Sequence, residues 1–180
     1  AHLSLASMDV ASGDFAAART EIQALQKTSP KNPIARYLQA MVDFREGKYP
    51  QARDALQEVL KIAPDHMPSV LLSGAVAFAL GSYEQAEADL TKFLKRFPGN
   101  SYARKLLAST QLKTGRSQNA LETLQPLQSD DHPDPQVLAL TGEAYAQSKD
   151  FAAATGYFEK AAALAPKSPA LRTQVGLSHQ

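Results

Sequence analysis

The order of apolar and polar positions over residues 67–100 predicts two amphipathic helices joined by a tight turn at Gly81 and Ser82. The other segments of the chain repeat this pattern at an interval of 34 residues. The pattern therefore predicts a series of helical hairpins. The expected helices lie over residues 2–12, 15–28, 33–46, 50–62, 67–80, 83–96, 101–114, 117–128, 135–148, 151–164 and 169–178.

The turn inside each hairpin carries two recurring residues. A glycine ends the first helix, since glycine enters the left-handed conformation without a Cβ clash. The glycines are Gly13, Gly47, Gly81 and Gly115, with Lys149 in the fifth position. An aromatic residue two positions later is expected to fill the angle between the helices. The aromatic residues are Phe15, Tyr49, Tyr83 and Phe151, with Ser117 in the fourth unit.

The second helix of each hairpin has a small residue, where two backbones approach closely, and then a large apolar one. The small residues are Ala18, Ala52, Ala86, Ala120 and Ala154. The large residues are Ile22, Leu56, Leu90, Leu124 and Phe158. Asn32, Asn100, Asp134 and Ser168 are good N-caps for the first helices, and His66 shares their position. Pro126 interrupts helix 117–128, which is expected to be short or kinked.

A small residue also recurs in the first helices, at Ala6, Ala40, Gly74, Ala108 and Gly142. With the turn aromatic, the alanine and the proline that closes most units, this pattern resembles the tetratricopeptide repeat (TPR) family over the whole chain. The resemblance implies an all-α, right-handed superhelical solenoid in one array. Both ends look cut, so we expect a fragment of a longer array that could form oligomers through its terminal repeats. The expected repeats are residues 1–32, 33–66, 67–100, 101–134 and 135–168, with 169–180 as the first helix of a sixth.

In this family the first helices line the concave wall, and side chains spaced i, i+3, i+7 and i+10 face it. We expect a partner-binding groove formed by Ile34, Tyr37, Met41, Phe44, Leu71, Ala75, Phe78, Tyr102 and Lys105. The last two units also place Ser109, Gln136, Ala139 and Glu143 there, so the groove becomes more polar. Each side chain could instead pack against a neighbouring helix, but an apolar floor across three units indicates an interaction site.

The leading hypothesis is that this groove holds an extended or helical peptide segment of a partner protein, anchored by aromatic side chains. Changing Tyr37 and Phe78 to alanine is then expected to abolish binding and to leave the thermal midpoint nearly intact. The alternative is a carbohydrate-binding module whose groove tyrosines stack on sugar rings. Some members of the family bind the C-terminal carboxylate of chaperones through Lys and Asn side chains. That clamp is excluded here, because its positions hold Leu3, Ser7, Leu38, Pro68 and Leu72.

Composition narrows the classes of function. The 180 residues include 19 basic and 18 acidic side chains, for a formal charge of +1, which does not favour nucleic acid or anionic lipid. Without cysteine there is no disulfide or thiolate metal site, and no apolar run reaches the ~18–20 residues of a membrane span. Asp130, Asp131, His132 and Asp134 match no known cation-binding loop and are interpreted as a solvated turn. No Ser-His-Asp arrangement or glycine-rich phosphate loop is present, so we expect no enzyme activity, cofactor or metal.

The amino-acid sequences of the first helices are distinctive in four segments, over residues 35–40, 68–75, 103–108 and 138–145. They look like the TPR lipoproteins associated with the bacterial exosortase system, which sorts proteins with a C-terminal Pro-Glu-Pro signal (PEP-CTERM) alongside exopolysaccharide production. That resemblance implies an exported, lipid-anchored scaffold in the periplasm or at the outer membrane. A periplasmic scaffold of polysaccharide export is the alternative within the envelope. The sequence by itself is also compatible with the cytoplasm.

Overall fold

A computed structural model describes residues 2–129 and 131–164 of the chain. Over these residues the chain forms ten α-helices and one short 3-10 turn, and no strand. The helices are α1 His2–Ser12, α2 Phe15–Thr28, α3 Pro33–Arg45, α4 Tyr49–Ile62, α5 Met67–Ala79, α6 Tyr83–Arg96, α7 Ser101–Lys113, α8 Ser117–Leu124, α9 Pro135–Gln147 and α10 Phe151–Leu164.

The predicted helix bounds are confirmed to within one residue, with α8 as the exception. This helix ends at Leu124, and a 3-10 turn over Gln125–Leu127 follows it. The turn contains Pro126, which has no backbone N–H to continue the helix, so the expected shortening is confirmed. The predicted helix 169–178 lies outside the described residues.

The turns between paired helices adopt the predicted left-handed conformation. Their φ angles are 84° at Gly13, 75° at Gly47, 74° at Gly81, 76° at Gly115 and 66° at Lys149. In the last four turns, the N–H of the next residue reaches back to a carbonyl in the last turn of the helix, as in Lys48 N to Asp43 O at 2.7 Å. These bonds satisfy carbonyls that the helix ends would otherwise leave open.

Side-chain caps hold the starts of the first helices. A side-chain oxygen of Asn32, Asn100 or Asp134 accepts a hydrogen bond from the backbone N–H of Ile34, Ala103 or Gln136, which confirms three predicted caps. His66 accepts no such bond, and its Nδ1 lies 2.8 Å from Oγ of Ser69. The predicted cap Ser168 lies outside the described residues. Asp14 and Asp150 cap α2 and α10 in the same way, which the sequence reading missed.

The core consists of residues in the predicted repeat positions. The alanines of the second helices and the small residues of the first helices are all buried. The large residues that follow the alanines are buried too, from Ile22 in α2 to Phe158 in α10. Ala6 and Ile22 share one cluster, Ala40 and Leu56 another, and Ala108 and Leu124 a third. The close approach of helix backbones that the alanines predicted is therefore confirmed.

The turn aromatics follow the prediction in three of the units. Phe15 is partly buried and packs against the cluster that α1, α2 and α3 form. The rings of Tyr49 and Phe44 lie 5.7 Å apart, and those of Tyr83 and Phe78 lie 5.8 Å apart, both in a tilted arrangement. The expectation is wrong for Phe151, whose side chain is 57% exposed. The position that carries Phe44 in the second unit carries Ala146 in the fifth, so Phe151 has no ring there to meet.

A network of charged side chains fixes α2 against α3. Asp43 is only 5% exposed, and its carboxylate accepts hydrogen bonds from Arg19 Nη2 at 2.9 Å and Gln39 Nε2 at 3.1 Å. Arg19 also donates to Glu46, which pairs with Lys48 at 2.7 Å. Hydrogen bonds from Arg19 and Lys48 lower the pKa of Glu46 to about 2, so its carboxylate is charged over the whole physiological range.

The chain divides into two compact units, residues 1–89 and 90–180, and α6 crosses the division. In the first unit, α1 packs with α2 and α3 with α4, and the first helices α1, α3 and α5 contact one another in turn. In the second unit, α7 packs with α8 and α9 with α10, and α7 contacts α9. Each unit therefore presents its own row of neighbouring first helices.

Candidate functional site

The first-helix face of residues 1–89 holds most of the side chains predicted to bind a partner. Ile34 is 42% exposed, and Tyr37, Met41, Phe44, Leu71 and Phe78 are partly buried. Ala75 is buried at 5% exposure, so it offers a partner almost no surface.

Several of these side chains also have structural contacts. The centroids of the Tyr37 and His66 rings lie 5.3 Å apart in a T-shaped arrangement, and burial raises the pKa of the Tyr37 hydroxyl. Met41 packs against the buried cluster of α1, α2 and α3. Phe44 and Phe78 each pair with the aromatic residue of their own turn. Tyr37, Met41, Phe44 and Phe78 therefore also hold the structure together.

In the second unit, an open groove of about 360 Å³ lies between the first helices α7 and α9. All of its lining residues come from these two helices. They are Tyr102, Lys105, Leu106, Ser109, Gln136, Ala139, Leu140 and Glu143. The structure therefore brings Tyr102 and Lys105 of the predicted site together with four further positions that the repeat spacing had turned toward the groove.

Leu106 and Leu140 are the two lining residues that the sequence reading missed. They occupy one repeat position, which also holds Leu38 and Leu72 in the earlier units. A leucine that recurs at 34-residue steps, one position beyond Lys105 and Ala139, was the signal available for them. They give the groove an apolar floor.

Lys105 ties the two helices of the groove together. Its Nζ lies 2.9 Å from Oδ2 of Asp134 and 2.8 Å from Oε1 of Gln136. Asp134 is also the N-cap of α9. Burial alone would raise the pKa of the Asp134 carboxyl, but the hydrogen bonds from Lys105 and from the backbone of Gln136 lower it overall. Most of the hydrogen-bonding capacity of the Lys105 ammonium is thus used inside the protein.

Glu143 lies farther along α9, and its side chain is exposed. Within residues 2–129 and 131–164, its carboxylate forms no hydrogen bond or ion pair. The groove thus has a neutralised acid–base pair toward the start of α9 and an unpaired carboxylate about two helical turns later.

Residues 2–129 and 131–164 contain neither a candidate metal centre nor a helix that could span a membrane. That part of the chain contains no group of three or more His, Cys, Asp or Glu side chains that could hold a metal ion. In the same range, every helix is too short or too polar to cross a membrane.

The paired helices, left-handed turns and buried small residues define an all-α repeat protein. Family models described as tetratricopeptide repeat match residues 3–66, 77–144 and 135–168. The chain belongs to the tetratricopeptide repeat family. A search of curated protein sequences finds no match.

Several solved structures resemble this chain over nearly its whole length. YrrB, described as a TPR protein with an unusual peptide-binding site, matches with a TM-score of 0.82 and 16% identity, covering 99% of this chain and 91% of its own. MamA from Desulfovibrio magneticus matches at 0.81 and 19% identity, over 93% and 95%. A thermophilic TPR protein from Thermus thermophilus matches at 0.68 and 22% identity, over 98% and 96%. These likenesses show the fold, the all-α arrangement of TPR superhelices.

Proposed function

We propose that this chain is a non-enzymatic scaffold that binds a peptide or protein segment against its first helices. The observation that carries the proposal is the open groove between α7 and α9, whose lining comes from first helices alone. Its volume of about 360 Å³ falls in the range of ~300–1,000 Å³ typical of ligand-binding clefts. It combines an apolar floor with a half-exposed aromatic side chain, Tyr102, which is 51% exposed. The peptide-binding site named for YrrB supports the same function.

A short stretch of extended peptide suits this groove best. Successive side chains on one face of an extended segment lie about 7 Å apart. The groove can therefore receive one or two of them, with the remaining affinity supplied by contacts of the peptide backbone along α7 and α9. Aromatic anchors in such interfaces carry a large share of the binding energy. Tyr102 is the side chain in this groove that best fits that role.

The test is selection of a random dodecapeptide library on the immobilised protein, followed by titration of synthetic versions of the enriched peptides. Tyr102→Ala is expected to weaken binding at least ten-fold, in line with the ≥ 1.4 kcal/mol of a hot-spot side chain. Phe151→Ala is the matched control, since Phe151 is similarly exposed in the same unit and does not line the groove. Enrichment of no peptide, or equal losses in the two variants, would refute the proposal.

A carbohydrate ligand is the second candidate, because the groove places Tyr102 beside polar side chains. Ser109, Gln136 and Glu143 line it together with the ring, which is the combination that stacking on a sugar requires. Gln136 is already engaged by Lys105, which leaves fewer free donors and acceptors than a sugar would use. Titration with neutral and acidic oligosaccharides, followed by tyrosine fluorescence, separates the two functions: saturable binding that Tyr102→Ala removes favours the sugar.

We further propose that the chain acts in the bacterial envelope, in protein sorting or exopolysaccharide assembly. The proposal is supported by the resemblance of the helix sequences over residues 35–40, 68–75, 103–108 and 138–145 to those of exosortase-associated TPR lipoproteins. Fractionation of the organism that produces this protein, with an antibody against the chain, tests the location. Recovery with periplasmic or outer-membrane fractions is expected, and recovery in the cytosol alone would refute the envelope role.

A further inference from the structure

The charges around the α7–α9 groove suggest which peptides it selects. We infer that it prefers a segment with a lysine or arginine close to an apolar side chain, and that Glu143 receives the basic group. This inference rests on the proposed peptide-binding function and specifies the ligand of the same site.

The basic side chain of the groove is already compensated. Among the described residues that line it, Lys105 is the one cation, and its Nζ is held by Asp134 at 2.9 Å and Gln136 at 2.8 Å. An anionic ligand would have to compete with a carboxylate that is fixed there as the cap of α9. Lys105 therefore gives the groove little attraction for acidic peptides.

The carboxylate of Glu143, in contrast, is not compensated by another side chain of the described residues. It lines the same groove, its side chain is exposed, and no described residue pairs with its carboxylate. Gln136, which binds Lys105, precedes Glu143 by seven residues, about 10 Å along α9 at 1.5 Å per residue. The ammonium of Lys105 is already paired with the carboxylate of Asp134 at 2.9 Å, so it does little to offset the charge of Glu143.

The floor of the groove fixes the spacing of the ligand. Leu140 precedes Glu143 by three residues on α9, or about one helical turn. Side chains two residues apart in an extended peptide lie on one face, about 7 Å from each other. A basic residue that reaches Glu143 is thus expected about two positions away from an apolar residue that covers Leu106 and Leu140.

The test uses the dodecapeptide library described above and then synthetic peptides of the enriched sequences. Enriched peptides are expected to carry Lys or Arg about two positions from a large apolar residue. Replacing that basic residue by glutamine should weaken binding about two- to five-fold, the range of an exposed ion pair. The same replacement should have no effect on Glu143→Gln protein, and Glu143→Lys should reverse the preference toward acidic peptides.

Glu122→Gln is the matched control, because it removes one exposed carboxylate from the same unit outside the groove. This variant should keep the preference for basic peptides, and raising the salt from 0.15 M to 0.5 M should weaken binding by the wild type more than by Glu143→Gln. Peptides that bind in a Tyr102-dependent manner but lack basic residues, or that bind wild type and Glu143→Gln equally, would overturn the inference and leave the proposed function standing. Enrichment of no peptide would overturn both.

Discussion

Replacing Gly142 by alanine places a Cβ atom 2.7 Å from Cε1 and 2.8 Å from Cδ1 of the Phe158 ring. Carbon atoms in contact ordinarily stay 3.5–4.0 Å apart, so the ring or the helix has to move by roughly 1 Å. Phe158 is buried, which leaves it little room. Overpacking of this kind costs about 1–3 kcal/mol, and alanine regains about 1 kcal/mol through its higher helix propensity. The net expected loss of unfolding free energy is about 1 kcal/mol.

The other units show how this strain should be relieved. Where the fifth unit has glycine opposite phenylalanine, the second has Ala40 with Leu56 in one cluster and the fourth has Ala108 with Leu124 in another. Phe158→Leu by itself removes packing and is expected to cost on the order of 1 kcal/mol. In the Gly142→Ala background the smaller leucine makes room for the new methyl group. The double variant should therefore be no less stable than either single variant, which gives a coupling energy of about 1–2 kcal/mol.

Urea denaturation followed by the helical circular dichroism signal measures these differences. Hydrogen exchange of the amides of α9 and α10 reports the same pair locally, which suits a repeat array whose units open separately. Gly156→Ala is the matched control, since a Cβ at this position in α10 has no atom within 4 Å and should stabilise the helix by about 1 kcal/mol. The reasoning is refuted if Gly142→Ala stabilises the protein as Gly156→Ala does, or if Phe158→Leu adds its full cost in both backgrounds.

Three further predictions concern stability, each measured by chemical denaturation. Asp43→Ala should cost about 1.5–3 kcal/mol, because Arg19 loses a buried charged partner; a change below ~0.5 kcal/mol would contradict this. Lys149→Gly should add about 0.5–1 kcal/mol, because its φ of 66° costs a non-glycine residue ~1–2 kcal/mol, and a loss would contradict that account. The pKa of the Asp134 carboxyl is lowered, so its pairing with Lys105 stabilises the fold above pH ~4, and this stabilisation is lost as the carboxyl is protonated in acid. The loss of unfolding free energy caused by Lys105→Met should therefore be smaller at pH 3 than at pH 7. An equal loss at the two pH values would contradict this.

The helices could be predicted from sequence because each boundary has its own local chemistry. Glycine at the end of a first helix and an N-cap before the next one act on the backbone within a few residues, so they need no knowledge of the tertiary structure. The turn at Lys149 adopts the same conformation without glycine, since the repeat around it determines the turn. The caps Asp14 and Asp150 were missed although Ser82 in the third unit is also a good N-cap residue, because Lys48 and Arg116 interrupt the series in the second and fourth units.

The candidate site was only partly predictable. Repeat spacing gives the direction of a side chain around its helix, which was enough to place Tyr102, Lys105 and Glu143 along one groove. It does not give the partner of that side chain on another helix. The bond between Lys105 and Asp134 joins residues 29 positions apart, and it compensates the charge of Lys105.

The contacts of Phe78 change the experiment that the sequence alone had suggested. Its ring lies 5.8 Å from that of Tyr83, and an aromatic pair is worth about 0.5–1.5 kcal/mol beyond the area it buries. Phe78→Ala should therefore lower the thermal midpoint as well as any binding, and the two effects could not be separated. Tyr102 and Phe151 have similar exposures of 51% and 57%, but only Tyr102 lines the groove. When circular dichroism shows that both variants are folded, a difference in peptide affinity between them can be assigned to the position of the ring.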